Sequence, residues 1–206
     1  MIGGVREALA QAVELGGPVV VILLAVSVAS AAVVLYKLWQ FHASSVGKHS
    51  ALRRAIAAWD NGQLSEAESA LKQSRSYLAP LIASGFAAAP RERLAAEAEA
   101  HFAKLESGFR ALDSVAQLAP LLGLFGTVLG MIDAFQSLQS AGSQVDPSLL
   151  AGGIWVALLT TAVGLAVAMP TAMILSWFEA RMDGERVFAD TAIQTICAPR
   201  EPKADA

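Results

Sequence analysis

Residues 149–178 read LLAGGIWVALLTTAVGLAVAMPTAMILSWF and contain no charged side chain. They belong to a run of 32 uncharged residues that lies between Asp146 and Glu179. Shorter uncharged runs end just before Lys37 (22 residues) and Asp133 (19 residues). An α-helix of about 20 apolar residues crosses the hydrocarbon core of a bilayer, which is about 30 Å thick. Each run therefore predicts a transmembrane helix, since helix is the form that satisfies the backbone of such a run in lipid.

The composition of the whole chain agrees with three such helices. Of the 206 residues, 16% are charged and 55% are hydrophobic, whereas about 25% are charged in an average soluble domain. A soluble bundle of buried helices is the alternative, but three apolar runs leave too little polar chain to cover them. The net charge of −3 disfavours nucleic-acid binding, and the single cysteine, Cys197, excludes a disulfide within the chain. We predict an all-α membrane protein with three transmembrane helices.

The positions of lysine and arginine predict which segments lie in the cytoplasm. Nine of these residues fall between Phe41 and Asp113, and none falls between Gln139 and Ser148. The long segment is therefore predicted to be cytoplasmic, and the short segment to lie on the opposite side. The predicted order is an outer N-terminal segment (1–17), the first transmembrane helix (18–40), a cytoplasmic helical segment (41–114), the second transmembrane helix (115–138), an outer loop (139–148), the third transmembrane helix (149–178) and a cytoplasmic tail (179–206).

The first apolar run also has features of a signal peptide. Residues 19–28 have the composition of its hydrophobic region, and residues 29–31 (Ala-Ser-Ala) resemble a cleavage site. However, the preceding residues hold one arginine against two glutamates, and the apolar run continues through Leu35. We therefore favour a retained transmembrane helix, with cleavage after Ala31 as the alternative.

The cytoplasmic segment carries helical patterns. Apolar residues follow helical spacing up to a stop at Asn61-Gly62, and Ser65 with Glu68 forms a capping-box pattern that predicts the start of another helix. Another apolar face ends at Pro90. The histidines of this segment are expected to be solvated, as is usual outside a ligand cluster: His42, His49 and His101.

The second and third transmembrane helices are predicted to extend into the cytoplasm. An apolar stripe at steps of three and four residues runs into the second span, and we identify no breaker within it. Its members are Phe102, Leu105, Phe109, Leu112 and Ala116. Residues 91–138 are therefore predicted to form one helix, which at 1.5 Å per residue is about 70 Å long. The third span has an amphipathic continuation to Ile196.

Small residues recur at helical spacing in the last two spans, where they let helix backbones approach closely. A bundle within one chain would explain most of them, but their number indicates further helical partners. In the second span the candidate packing residues are Gly123, Gly126, Gly130 and Ala134. In the third span they are Gly153, Ala157, Gly164, Ala168 and Pro170.

A few polar side chains are candidates for function in these spans. Asp133 is the only acidic residue between Val115 and Leu138, and it is either a functional ionisable group or an aspartate at the membrane surface. It lies about 240° around the helix from Thr127, so the two do not share a face. Thr127, Thr160 and Thr161 either bond back to their own helices or line a polar lumen.

Residues 118–135 (LAPLLGLFGTVLGMIDAF) and 153–170 (GIWVALLTTAVGLAVAMP) together resemble the MotA/TolQ/ExbB proton channel family. The resemblance is specific over about residues 115–179, and the three-helix layout favours its ExbB and TolQ branch. It implies a homopentamer around a central pore that encloses the helices of a partner similar to ExbD or TolR, which supplies a membrane aspartate. It also implies an inner-membrane protein that uses the proton motive force to energise a periplasm-spanning transducer similar to TonB or TolA.

The resemblance further implies that the N-terminus is periplasmic and the C-terminus cytoplasmic, and that Thr127 and Thr161 face the partner aspartate. Many ExbB and TolQ members have glutamate where this chain has Val156. Either the remaining groups suffice, or the subunit conducts poorly or serves a specialised system, and a non-conducting membrane scaffold is the alternative function. We expect neither enzyme activity nor a cofactor or metal, because no Walker motif and no cluster with ligand spacing is present.

Overall fold

The computed structural model describes the backbone of residues 2–140 and 147–199, and the side chains of residues 17–140, 148 and 150–199. These residues form seven helices and no strand, which confirms the all-α prediction. In chain order they are α1 (Ile2–Ala43), α2 (Ser50–Asp60), α3 (Leu64–Lys72), α4 (Ala79–Phe86), α5 (Arg91–Glu106), α6 (Phe109–Ser140) and α7 (Pro147–Cys197).

Three of these helices are long and apolar enough to cross a membrane: α1 from Gly17 onward, α6, and α7 from Leu150 onward. They contain the three uncharged runs, so the prediction of three membrane-spanning helices is confirmed. Most of the predicted outer loop (141–146) and the end of the predicted tail (200–206) lie outside the described residues. The side of the membrane on which each segment lies stays a prediction.

The first span begins at a kink in α1. Gly17 has φ 65° and ψ −169°, which is not helical, and Pro18 follows it. Proline has no N–H to continue the hydrogen-bond ladder and disfavours helical geometry in the residue before it. A short helix thus precedes Gly17, and a separate helix runs from Pro18 to Ala43.

The chain forms two compact units, residues 1–34 with 108–176 and residues 35–107 with 177–206. In the first unit, α1 packs against α6 and α7. Its core contains Val19 and Leu23 of α1 beside Ala119 of α6 and Val167 and Ala168 of α7. The membrane-spanning unit is therefore a three-helix bundle.

In the second unit, the end of α7 packs among helices α2 to α5. The Trp59 ring of α2 stacks on Phe86 of α4 at 4.2 Å between centroids, and its Nε1 donates to the carbonyl oxygen of Ile196 at 3.3 Å. Phe41 meets Phe178 edge-to-face at 5.1 Å. Helix α7 reaches Cys197, so the predicted continuation of the third helix to Ile196 is confirmed.

The prediction of one continuous helix over residues 91–138 is wrong. Helix α5 ends at Glu106, and α6 begins at Phe109. Gly108 adopts φ 94°, a left-handed conformation that breaks the helix. The apolar stripe is nevertheless buried both before the break, at Leu105, and after it, at Phe109 and Leu112. Apolar spacing therefore did not reveal the break.

The C-terminus of α5 is bound by side chains. The buried Lys37 ammonium donates to the Leu105 carbonyl oxygen at 3.0 Å and to Ser107 Oγ at 3.2 Å. The Ser107 hydroxyl in turn donates to the Lys104 carbonyl oxygen at 2.8 Å. These bonds satisfy carbonyl groups that have no partner within the helix, and a cation is favoured at this end of a helix.

The helix predicted to start near Ser65 is present as α3, but the capping box predicted at its start is absent. Gln63 precedes the first residue of α3, and its side chain makes no capping hydrogen bond. Ser65 lies inside the helix, at its second residue, so it does not bind the free N–H groups as a cap would. The predicted stop at Asn61-Gly62 is confirmed, since α2 ends at Asp60.

The expectation that His49 is solvated is wrong as well. Its ring is buried, with Nε2 at 2.7 Å from Glu185 Oε2 and Nδ1 at 3.0 Å from Ser76 Oγ. Tyr77 donates to the same Glu185 oxygen at 2.8 Å, and Phe188 stacks on the imidazole at 4.4 Å. Burial, and then the Glu185 carboxylate, raise the pKa of Tyr77, so its hydroxyl stays protonated and serves as a donor.

Replacing Gly108 by alanine tests the break between α5 and α6. At φ 94° a Cβ is strained, so Gly108→Ala is expected to lower the free energy of unfolding by about 1–2 kcal/mol. The matched control is Gly184→Ala, which adds a Cβ in open space within α7 and is expected to be neutral or stabilising. Thermal unfolding in detergent, followed by tryptophan fluorescence, measures both. A Gly108→Ala variant as stable as the unmodified chain would contradict this account.

Candidate functional site

Helices α6 and α7 pack at very short range along a seam of small residues. A Cβ built on Gly126 would lie 2.7 Å from Thr160 Oγ1, and one on Gly164 would lie 2.6 Å from the Ala119 carbonyl oxygen. Such distances are shorter than real Cβ contacts, so only glycine fits at either position. Close approach of this kind is how helices associate in lipid, where packing and hydrogen bonds replace the hydrophobic effect.

Most of the other predicted packing residues of the two spans complete the seam, whereas Ala168 lies in the core beside α1. A Cβ on Gly123 would lie 3.0 Å from Thr161 Cα, and Gly130 and Gly153 face the alanines of the opposite helix. From one end to the other, the facing pairs are Ala119 with Gly164, Gly123 with Gly164, Gly126 with Thr160, Gly130 with Ala157 and Ala134 with Gly153. The residue number falls on α7 as it rises on α6, so the two helices are antiparallel.

The bundle within one chain is the alternative that this seam supports, because the two helices already use these small residues. Further helical partners stay a prediction. Pro170, also predicted to serve helix packing, is exposed in α7. The small residues therefore account for the bundle within the chain and do not identify a surface between subunits.

Thr160 lies in the seam itself. Its hydroxyl is buried within 2.7 Å of the Ala157 carbonyl oxygen on its own helix and 3.1 Å of the Gly123 carbonyl oxygen on α6. It thus links the two backbones within the seam. Within one chain Thr160 serves packing, and its predicted place in a proton pathway stays a prediction.

Thr127 and Thr161 lie on the same side of the seam. Each directly follows a seam residue, Gly126 on α6 and Thr160 on α7, and these two residues face each other. Successive residues are about 100° apart on a helix, and in an antiparallel pair the residues that follow facing positions turn to the same side. The structure therefore brings the two threonines, predicted to act as a pair, to one level and one side.

The two hydroxyl groups differ in their bonding. Thr127 Oγ1 donates to the Leu124 carbonyl oxygen of its own helix at 2.6 Å. Thr161 Oγ1 is buried and has no hydrogen-bond partner among the residues that the structure describes. A buried hydroxyl without a partner costs about 1–3 kcal/mol. The hydrogen-bonding capacity of Thr161 is therefore unused by the described residues.

Helix α1 covers the other side of the seam. Leu122, Leu129 and Val163, which each precede a seam glycine, pack against the core that contains Val19 and Leu23. The threonine side instead carries exposed apolar residues, which are Leu124 (56% exposed), Leu158 (62%) and Leu165 (41%). We call this side, with Thr127 and Thr161, the threonine face. It is an apolar surface with two hydroxyl groups that α1 leaves open.

Asp133 does not belong to the threonine face. It precedes Ala134, a seam residue, so it turns to the side on which α1 packs. There it is exposed and lines a cavity of about 210 Å³ with Ser137 and Val156. Val156, where many members of the resembled family have glutamate, thus lies beside Asp133. The antiparallel seam explains this pairing, which the sequence alone left undetermined.

The comparison with known proteins matches the part of the chain that contains this site. A sequence model of the MotA/TolQ/ExbB proton channel family matches residues 63–189, which is more than half of the chain. The chain belongs to this family. Its three apolar helices make it a multi-pass membrane protein.

Individual relatives come from both the ExbB and the TolQ branch. The biopolymer transport protein exbB1 of Vibrio cholerae is 34% identical over 48% of this chain and 50% of its own length. The Tol-Pal system protein TolQ of Pseudomonas aeruginosa is 34% identical over 56% of this chain and 48% of its own. A putative ExbB-like protein of Synechocystis is 46% identical over 37% and 32%. The matched part of the chain thus spans half or less of each relative.

The described side chains of this family member offer no metal centre, since no three His, Cys, Asp or Glu residues among them come together as ligands. The chemistry available on the threonine face is that of two hydroxyl groups: Thr127 can accept a hydrogen bond while it donates to Leu124, and Thr161 can donate and accept. Such groups stabilise a passing proton or a carboxyl group without the cost of a buried charge.

The seam can be tested with two glycines of α7. In Gly164→Ala the new Cβ meets the α6 backbone, so the helices must separate, and we expect a loss of about 1–3 kcal/mol of stability. Gly152→Ala is the control, because its Cβ meets nothing within 4 Å. Thermal unfolding of both variants in detergent separates the two outcomes. Equal midpoints would show that the close approach is not needed.

Proposed function

We propose that this chain is an ExbB/TolQ-like subunit of an inner-membrane proton channel, which uses the proton motive force to energise a periplasm-spanning transducer. The transducer would serve TonB-type transport at the outer membrane or Tol-type maintenance of the envelope. Membership of the proton channel family supports the proposal. The observation that carries it is the buried Thr161 hydroxyl without a partner, which lies beside Thr127 on a face that α1 leaves open.

In the proposed mechanism, the threonine face lines a pore formed by several copies of the chain, and we expect five. A helix of an ExbD- or TolR-like partner stands in that pore and presents a membrane aspartate to Thr127 and Thr161. Loss of solvent would raise the pKa of such an aspartate. Its carboxylate would then take up a proton from one side of the membrane and release that proton to the other side. The two hydroxyl groups would hold the carboxyl group in both of its protonation states.

The proton motive force supplies a modest free energy for turning a partner helix against the threonine face. One proton crossing 100 mV releases about 2.3 kcal/mol. Because the exposed residues of the threonine face are apolar, a partner helix can turn against them without breaking ion pairs. The proposed activity is therefore ion conduction coupled to motion, and not catalysis of a covalent reaction.

The topology proposed for this role follows the charges. Nine lysine and arginine residues lie between Phe41 and Asp113, which favours a cytoplasmic location for that segment and for the C-terminal tail. The N-terminus and the loop between α6 and α7 would then be periplasmic. The proposed complex would consist of a homopentamer of this chain, the ExbD- or TolR-like partner and the TonB- or TolA-like transducer.

Val156 was the main reason to consider a non-conducting scaffold of the same fold. It lines the cavity of Asp133, on the side of the seam away from the threonine face. Its apolar side chain therefore removes no titratable group from that face. The scaffold alternative is accordingly not favoured.

The threonine face is tested by removing each hydroxyl group at nearly constant volume. Thr127→Val and Thr161→Val are each expected to reduce proton flux at least about tenfold, since a hydrogen bond to a charged or titrating group contributes about 1.5–3 kcal/mol. Flux is measured with a pH-sensitive dye in liposomes that contain the chain and the single-span protein that co-purifies with it. Thr191→Val, a control on an exposed position of α7, should conduct normally. Normal flux in both test variants, with the complex intact, would refute the assignment.

Asp133 provides a second test of the same assignment. Because Asp133 lies on the side of the seam where α1 packs, Asp133→Asn is expected to change flux less than about twofold in the same liposomes. Gel filtration of the complex checks assembly for each variant. A loss of flux as large as that of Thr161→Val would mean that the proton path runs through the Asp133 cavity.

A further inference from the structure

A second cavity, of about 430 Å³, lies in the unit formed by residues 35–107 and 177–206. Three of its lining residues are basic, His42, Lys48 and Arg181, and no carboxylate lines it. Trp177 and Leu38 form part of its apolar lining. The cavity therefore combines cationic groups with an apolar wall, in a chain whose net charge is negative.

The cavity lies where two membrane spans end. The uncharged run of α1 ends at Lys37, just before Leu38, and that of α7 ends at Glu179, two residues after Trp177. Exposed aromatic rings surround this level, with Tyr36 54%, Trp39 67% and Trp177 55% exposed. Tryptophan and tyrosine favour the headgroup region of a bilayer, because their rings are apolar at one end and polar at the other.

Arg181 is held at this cavity by the turn that follows α1. Its Nη2 donates to the Val46 carbonyl oxygen at 3.2 Å. The guanidinium packs directly over Gly47, where any Cβ would overlap it. The bond to Val46 uses one of the five N–H groups of the guanidinium. A positioned arginine of this kind suits a phosphate, which it can bind through two parallel hydrogen bonds.

We propose that this cavity binds the phosphate of an anionic phospholipid. The charges of Lys48 and Arg181 favour an anionic headgroup over a zwitterionic one. The exposed Leu38 and Trp177 favour a lipid over a soluble phosphate, because they offer contacts to its acyl chains. With the proposed topology, the lipid belongs to the cytoplasmic leaflet and bridges the end of α1 and α7.

Native mass spectrometry of the full chain in detergent tests the proposal. Palmitoyl-oleoyl phosphatidylglycerol is added, and phosphatidylcholine with the same acyl chains is the neutral reference. We expect the anionic lipid to bind at least about tenfold more tightly. Each basic side chain near a membrane surface is expected to contribute about fivefold to the apparent Kd, so Lys48→Gln with Arg181→Gln should weaken binding about thirtyfold.

The control carries the same loss of charge elsewhere. Lys72→Gln with Arg75→Gln changes two exposed residues far from the cavity in sequence, and it should leave lipid binding unchanged. Lys48→Gln alone replaces an exposed side chain and should weaken binding about fivefold, which keeps the test valid if Arg181→Gln unfolds the turn.

Three results would overturn the proposal. The first is equal binding of the neutral and anionic lipids. The second is an equal loss of binding in the test and control double variants. The third is displacement of the anionic lipid by millimolar inorganic phosphate, which would identify a site for a free anion.

Discussion

The membrane part of this protein depends on the contact between α6 and α7. Gly126 and Gly164 admit the opposite helix at distances that no Cβ permits, and Thr160 links the two backbones through the Gly123 carbonyl oxygen. This contact fixes the register of an antiparallel pair. With the register fixed, each residue that follows a seam position turns to one side, and each residue that precedes one turns to the other. The sides on which Thr127, Thr161 and Asp133 lie follow from that geometry.

The register also divides the two sides between packing and chemistry. Leu122, Leu129 and Val163 hold α1 on one side, whereas Thr127 and Thr161 lie on the side that α1 leaves open. Glycine and alanine therefore have a structural role here. The threonine hydroxyl groups beside them are the groups that can take part in hydrogen bonding and proton transfer. A sequence motif that contains both kinds of residue reads as one functional unit, although only part of it faces the proposed pore.

The sequence predicted the spans because uncharged length is a local property of the chain. It also predicted the end of α2, where Asn61-Gly62 supplies a recognised stop. It did not predict the break at Gly108, because the apolar stripe of Leu105, Phe109 and Leu112 continues across it and spacing does not report φ. Nor did it predict the burial of His49, whose partner Glu185 is 136 residues away. The pairing of Thr127 with Thr161 rested on the family resemblance until the seam gave it a geometric basis.

The position of the carboxylates limits what one chain can do by itself. Asp133 is the only charged residue of the second span, residues 147–178 contain none, and Asp133 lies on the side of α1. The threonine face therefore has hydroxyl groups that can share a proton but no group that can release one near neutral pH. A proton path along this face needs a titratable group from another chain. No described residue uses the hydrogen-bonding capacity of Thr161, so a titratable group brought within reach of its hydroxyl would recover the stability that this atom costs the isolated chain.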